Sequence, residues 1–253
     1  MKFDELDAKM RVYETAHDHC VLPGIYMVAR LDGRSFTRLT KEVHKFEVPY
    51  DERFRDYMIS TVEHLMNIGL YVIYGYTHSD EISLLFDREE SAFNRKLRKL
   101  NSVLAGEASA KFSLLLGSIA CFDCRISQLP NLEDVGVYFR WRHEDASRNA
   151  INSHAYWCLR GEGKSARQAT KILGGTGFAE KNELLFQHGI NFNDIPNWQK
   201  RGVGLYWEEY QKTGLNPVTG QSVKTTRKRI HRDLELPMKD EYSQLILNLI
   251  ANC

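Results

Sequence analysis

A chain of 253 residues that is 43% hydrophobic and 26% charged can support one large domain or two closely packed ones, which excludes disorder over most of its length. Lys and Arg number 34 against 33 Asp and Glu, and the resulting net charge of +1 neither requires nor excludes nucleic acid, because binding needs a basic patch rather than a basic total. The odd count of 5 cysteines, a charged rather than apolar amino-terminal stretch, and a longest charge-free apolar run (Phe112 to Phe122) too short to cross a bilayer predict a cytoplasmic protein without a membrane partner.

In chain order, Phe3, Leu6, Met10 and Tyr13 recur at helical spacing and predict a short amphipathic helix over 3–16. Pro23-Gly24 breaks the chain, and residues 25–31 then read as a buried strand ending at Asp32-Gly33-Arg34. Pro49 followed by Asp51-Glu52 signals a helix start, and apolar residues recur at helical period from Phe54 to Met66. Residues 70–76 and 81–86 read as two strands of a hairpin, with Ser79-Asp80-Glu81 at its tip. A second helix is predicted over 93–112, and a fourth strand over 117–122 running into Asp123-Cys124-Arg125.

The order β-α-β-β-α-β is the ferredoxin-like split motif, an arrangement that polymerase palms share, although order alone carries no activity. The expected fold class is α+β: a ferredoxin-like βαββαβ palm-like catalytic domain over 1–130, with a mostly helical C-terminal region over 131–253 packed on it. In that second region, residues 134–160, 166–173 and 178–187 read as helices, Trp198 to Tyr210 as containing a strand, and 212–233 as a polar loop. Two basic stretches stand out, Arg95-Lys96-Leu97-Arg98-Lys99 and Lys224 to Arg232; either can be a solvated face or a phosphate contact.

Chemistry concentrates at two short segments. An aspartate at the end of a buried strand suits a hard cation, and Gly33 lets the backbone come close enough for its carbonyl to act as a further oxygen ligand. The N–H groups of the turn that follows can cradle a triphosphate. Alone, Asp-Gly is a turn and Ser79-Asp80-Glu81 a polar hairpin tip. In the βαββαβ order, however, the first strand and the central hairpin are neighbours, so Asp32 and Asp80 converge at one end of the sheet. Two carboxylates and a carbonyl suit magnesium, and a pair of such ions activates an attacking hydroxyl and stabilises the leaving oxygens. Glu81 follows Asp80 directly, so both face one site only if the turn is irregular.

Three other motifs carry less. Gly161-Glu162-Gly163-Lys164-Ser165 lacks the first glycine of a phosphate loop, because that position is Cys158. Cys121-Phe122-Asp123-Cys124 is a lone pair without a second. His17-Asp18-His19-Cys20 falls at a helix end, where capping suffices to explain it.

Taken in order, Arg30 to Phe36, Ser79-Asp80-Glu81, Phe122 to Arg125, Trp141-Arg142, Lys181-Asn182-Glu183 and Arg201-Gly202 resemble the tRNA-histidine guanylyltransferase family, in particular its Thg-like branch of bacteria and archaea. The resemblance covers roughly residues 1–207. It implies a palm-like site with two magnesium ions, ATP, GTP and other nucleoside triphosphates as substrates, tRNA as partner, and a homo-tetramer. The implied reaction is template-dependent 3′-to-5′ nucleotide addition to a tRNA 5′ end, after the 5′-monophosphate has been activated with ATP or GTP. It further implies Asp32, Gly33 and Asp80 as metal ligands and Glu81 as the paired acid. Ser79, Lys96 and Lys99 join Gly33 to Phe36 as triphosphate contacts, while Arg125, Arg142, Arg148, Asn149 and Lys181 fall to the RNA end. Members dedicated to adding G to tRNA-histidine carry His-Ile-Asn-Asn where this chain has Ser147-Arg148-Asn149-Ala150, which favours the Thg-like branch and 5′-end repair over dedicated guanylylation. Cys124 replaces a usual glycine, and Val48 replaces a lysine of the eukaryotic pattern. A nucleotidyl-cyclase-like palm and a non-catalytic RNA-binding protein are the remaining alternatives.

Overall fold

Strand alternation decides where the helices pack. In the computed structural model, which describes residues 1–215 and 222–252, β1 (Tyr26–Gly33) sends Met27, Ala29 and Leu31 into a core on one face of a sheet. Tyr26 and Val28 go to the opposite core, and Arg30 and Asp32 share their face by the same alternation. β2 (Val72–His78) and β3 (Glu81–Phe86) form the central hairpin, and β4 (Phe122–Leu129) pairs with the other edge of β1. With β5 (Val203–Leu215) and β6 (Ser222–Asp233), they make one six-stranded antiparallel sheet in the order β4-β1-β3-β2-β5-β6.

The helices divide between the two faces. α1 (Phe3–Thr15) buries none of its residues, and Phe3, Met10 and Tyr13 are exposed. α2 (Phe36–Arg38) continues into a π-helical turn over Leu39–Val43. α3 (Glu52–Met66), N-capped by the Asp51 carboxylate, and α4 (Leu97–Leu116) pack on the Met27-Ala29-Leu31 face. The long α5 (Leu132–Gly161) covers the other face together with α9 (Lys239–Ala251), whose Tyr242 and Ile246 are buried beside Val135 and Phe139. α6 (Ala166–Leu173) and α7 (Phe178–Gln187) form a small core of their own against the second half of α5, and α8 (Asn197–Arg201) adds Trp198 to the core on the α3–α4 face.

Several sequence expectations shift. The helix expected over 93–112 starts at Leu97, because Phe93, Asn94 and Arg95 hold φ of 55°, 53° and 58°, which no right-handed helix accommodates. The strand expected over 117–122 starts only at Phe122. Gly117, at φ 73°, caps α4 in the left-handed region, and the β1 ladder runs from Phe122 to Leu129. The polar loop expected over 212–233 is a correction of kind: it belongs to a β5–β6 hairpin, apart from 216–221, which lie outside the described residues. Exposure on both faces removes the apolar alternation that marks a strand. β5 also pairs with β2, so the C-terminal region, most of whose residues are helical, also contributes strands to the first region's sheet. Among the described residues, no helix is long and apolar enough to cross a membrane.

Candidate active site

Asp32 is the last acidic residue of β1, and its register partner across the ladder is Glu81, the first residue of β3. Directly opposed residues share a face, so both carboxylates point toward α5. Ser79, at φ 53°, makes the β2–β3 turn irregular, and Asp80 thereby reaches the same cleft as Glu81. The cleft measures about 720 Å³ and is walled by Asp32, Asp80 and Glu81, the segment from Phe36 to Phe54, and one side of α5.

Two arginines occupy the carboxylate cluster. Arg30 lies two residues before Asp32 on the same face; its Nη2 stands 3.3 Å from Asp32 Oδ2 and donates to Glu81 as well. Arg142, only 4% exposed, reaches Glu81 Oε1 at 3.3 Å and Asp145 Oδ2 at 2.6 Å, and its guanidinium lies 4.0 Å from the Trp141 ring centroid. Glu81 is therefore flanked by two cations, whereas the side-chain bond of Asp80 is a 3.2 Å contact from the Ser79 hydroxyl. Burial raises the pKa of the Asp80 carboxyl, and the neighbouring Asp32 charge raises it further. Burial also raises Glu81, against the opposing pull of Arg142 and Arg30. His78 is half-buried beside this cluster, bonded to the Gln199 carbonyl at 2.9 Å, and desolvation lowers its pKa.

The glycine at 33 is a steric requirement. A Cβ there would lie 2.5 Å from Phe36 Cγ, and that ring is fixed against Phe122 at 4.9 Å and Phe112 at 5.2 Å. The backbone cradle expected from Gly33 to Phe36 is only half available. Gly33 N–H donates to the Asp80 carbonyl at 3.1 Å and Arg34 N–H to the Cys121 carbonyl at 2.8 Å, so those two amides tie the strand ends together. The amides of Ser35 and Phe36 remain as donors at the start of α2. The Arg34 side chain is exposed.

Other expected contacts lie elsewhere. Lys96 and Lys99 are at the wrong end of the sheet. Leu97 N–H bonds to the His19 carbonyl and Arg95 bonds to the Ile25 carbonyl, which places the start of α4 beside the first residue of β1, roughly 20 Å of strand from Asp32. There the Lys96 ammonium is held by Asp18 at 2.7 Å. Arg125 is opposite Arg30 on β4 but exposed, 3.4 Å from Asp123. Arg142, expected at an RNA surface, is buried against Glu81 instead. Arg148 is exposed and Lys181 lies on α7; neither lines the cleft, whereas Asn149 does, bonded to Asp145 at 3.3 Å. Ser147 donates to the Lys200 carbonyl at 2.9 Å and does not line the cleft.

Sequence reading missed Arg30, Lys41, Tyr50, Asp145, Ser153, Tyr156, Trp157 and Arg160, all in the cleft wall. Two signals were available. Arg30 and Asp32 share a strand face at period two, and the α5 residues recur three or four apart.

Residues 7–130 match the family model described as Thg1, tRNAHis guanylyltransferase, and residues 133–250 match that of the Thg1 C terminal domain. A probable tRNA(His) guanylyltransferase of Drosophila melanogaster is 34% identical over 198 residues, covering 74% of this chain and 69% of that protein. The structure of a bacterial tRNA(HIS) guanylyltransferase (Thg1)-like protein in complex with GTP matches with a TM-score of 0.74 and 26% identity, covering 98% of this chain and 99% of the other. A second such structure, in complex with ATP, matches with a TM-score of 0.75 and 25% identity, covering 97% and 99%.

Proposed function

The chain belongs to the tRNAHis guanylyltransferase family of nucleotidyltransferases, and from that membership we propose that it adds nucleotides in the 3′-to-5′ direction to the 5′ ends of truncated tRNAs under direction of a template. The observation that carries the reading is the convergence of Asp32 and Asp80 from separate elements into one cleft, close enough that one charge raises the other's pKa. The strand order β4-β1-β3-β2 with α3 and α4 on one face supports reading residues 1–130 as a ferredoxin-like palm. The meeting of the two family models between residues 130 and 133 supports the division from 131–253.

The donor set fits a hard divalent ion. Asp32, the Gly33 carbonyl and Asp80 are all oxygen donors, and two neighbouring carboxylates in a partly buried cleft lack a full counter-charge. Among the described residues, no three His, Cys, Asp or Glu side chains group into a closed metal site. An open half-set is what magnesium uses when phosphate oxygens complete its shell. Two such ions would supply activation of the attacking hydroxyl and stabilisation of the leaving oxygens.

The chain's own groups divide the remaining work. The amides of Ser35 and Phe36 are free to donate to the triphosphate, and the Ser79 hydroxyl can join them by turning away from Asp80. Glu81 holds Arg30 and Arg142 in place at the edge of the carboxylate pair. Arg30 then offers a fixed cation to phosphate oxygens as the tRNA 5′-phosphate is activated and the nucleotide's 3′-hydroxyl attacks it. Asn149 faces the same space and is placed to contact the RNA end. Arg125, Arg148 and Lys181 are placed to meet RNA outside the cleft. The bare apolar face of α1 supports assembly into a homo-tetramer.

The test is to supply 5′-truncated tRNAs, magnesium and each nucleoside triphosphate, with position 73 varied. Addition that follows Watson–Crick pairing is expected; no addition to any truncated substrate rejects the reading. Dedicated addition of G to tRNA-histidine is the second reading, favoured by the naming of the Drosophila relative. It predicts one G on full-length tRNA-histidine whatever base stands opposite.

A further inference from the structure

Buried polar groups gather beneath the carboxylate site, between the sheet and α5. Among the described residues, eight buried side-chain nitrogen or oxygen atoms have no hydrogen-bond partner, and four of them are Arg30 Nε, Ser83 Oγ, Tyr138 Oη and Arg142 Nε. These four belong to one neighbourhood. Arg30 and Ser83 oppose each other across the β1–β3 ladder, next to the Asp32–Glu81 pair on the face that α5 covers. Tyr138 and Arg142 are one turn apart on α5. Burial raises the Tyr138 pKa, the Ser83 hydroxyl opposes the rise, and the charges of Glu81, Arg142 and Arg30 all bear on it, so the phenol meets the same groups from the helix side. One pair further along the ladder, Val28 and Leu85 belong to the apolar core.

Stability does not explain the two hydroxyls. Ser83 is fully buried and Tyr138 is 7% exposed. A buried hydroxyl without a partner costs stability, and Ala and Phe would fill these positions without that cost. The donor left to be met is on Arg30. Its Nη2 serves Asp32 and Glu81, whereas its Nε–H is buried away from the cleft. Bonds at Nη2 alone let the guanidinium turn about that contact, and a second bond at Nε fixes its plane. Tyr76, opposite Ser83 on β2, is already engaged, since its hydroxyl donates to the Arg201 carbonyl at 2.8 Å.

We propose that Ser83 and Tyr138 are positioning residues for Arg30, sharing with its Nε–H one internal water that fixes the guanidinium plane while Nη2 stays on Asp32 and Glu81. An enclosed water makes about three hydrogen bonds, the number that Ser83, Tyr138 and Arg30 together offer. Neither hydroxyl touches substrate. Arg30 lines the cleft, and with its plane fixed the remaining guanidinium hydrogens are held toward that space before a phosphate arrives. The inference rests on the reading that Arg30 meets phosphate oxygens during transfer, and it adds the device that aims the side chain.

The test uses nuclear magnetic resonance of the full chain with isotope-labelled arginine, the Arg30 Nε–Hε signal being assigned by its loss in Arg30→Lys. Ser83→Ala and Tyr138→Phe should each shift that signal and speed its exchange with solvent. Ser147→Ala, whose hydroxyl bonds to the Lys200 carbonyl outside the cleft, should not. Both site variants should melt at or above the wild-type temperature, which a merely structural role does not predict. Each should lower kcat for nucleotide transfer about tenfold while KM changes by less than about twofold. In the Arg30→Lys background, Ser83→Ala should cost nothing further. An unmoved Arg30 signal overturns the proposal, as does wild-type kcat in both variants, or a lowered melting temperature with activity lost in step. If the wild type itself adds nothing to truncated tRNA, the addition reading falls, and the signal and the melting curves still decide whether Ser83 and Tyr138 hold Arg30.

Discussion

Asp32 and Glu81 oppose each other across the β1–β3 ladder, yet their charges meet different partners: Glu81 contacts both Arg30 and Arg142, while Asp32 has Arg30 at 3.3 Å. Glu81 is therefore a structural anion that fixes two guanidinium groups, and Asp32 with Asp80 is the pair left to act on a ligand. Substitution separates the two roles. Asp32→Asn and Asp80→Asn should each lower nucleotide transfer by about 10²–10³-fold while leaving the protein folded. Glu81→Gln removes the carboxylate shared by two guanidinium groups and leaves Arg142, which is 4% exposed, with Asp145 alone and Arg30 with Asp32 alone. It should lose about 3 kcal/mol of stability, roughly 6–12 °C in melting temperature. Equal melting temperatures for Glu81→Gln and wild type would contradict this division.

The raised Asp80 pKa makes a prediction about stability and pH. A carboxyl raised above its ordinary value of 3.8 binds its proton more tightly in the folded chain than in the unfolded one. Its contribution to stability is complete below 3.8 and is lost as pH rises through the raised value. At neutral pH without metal, the charged side chain is thus a net cost. Asp80→Asn should raise the melting temperature in EDTA by about 2–4 °C, near 1 kcal/mol. Magnesium should stabilise the wild type and not the variant. Melting curves at pH 5 and pH 8, with EDTA or magnesium, decide it; a variant less stable than wild type in EDTA at pH 8 would be the contrary result.

Gly33→Ala tests the steric link between site and core. The new methyl would fall 2.5 Å from Phe36 Cγ, and Phe36 is wedged among Phe54, Phe112 and Phe122. Relief must come from moving the ring or the Asp32-Gly33 backbone. The first costs about 1–3 kcal/mol, and the second displaces the Gly33 carbonyl proposed above as a metal ligand, for which a loss of about 10²-fold in transfer is expected. Thermal melts alongside single-turnover transfer assays show which path is taken. Unchanged values in both would mean that the contact is freely absorbed.

What was legible in the sequence follows from how local each signal is. Asp32 and Asp80 were readable because one lies at the end of a strand with strong apolar patterning and the other in the turn between two such strands, and the element order brings those ends together. Arg30 was hidden although it stands beside Asp32, because its partner Glu81 is 51 residues away in the chain. Arg142 had the right residue type but the wrong assignment: its charge is used inside the fold, which no spacing within α5 reveals. Lys96 and Lys99 failed for a topological reason, since the connection after β3 begins α4 at the end of the sheet remote from Asp32. The β5–β6 hairpin was unreadable as strand because both of its faces meet solvent over most of its length, and alternation needs one buried face.

That hairpin supplies the last prediction. Beyond the part of β5 that pairs with β2, at Val203 to Tyr206, the two strands continue as a ribbon paired only with each other. Arg229 is engaged by Glu208 at 2.5 Å, and Arg232 by Glu63 at 2.6 Å, so these two are poorly placed to reach phosphate. Lys224, Arg227 and Lys228 are exposed on the outer part of β6 and carry that strand's available positive charge among the described residues. If the ribbon meets tRNA phosphates, each contact releases about 0.7–0.9 of a counterion, so replacing all three with Gln should flatten the log-log salt dependence of tRNA binding by about 2–3. Affinity should fall alike for every tRNA, because phosphate contacts position RNA without reading its sequence. Arg229→Gln alone should change the slope little, since its charge is already met by Glu208. A filter-binding series from low to moderate salt measures both quantities, and a triple variant with the wild-type slope would remove the ribbon from the RNA surface.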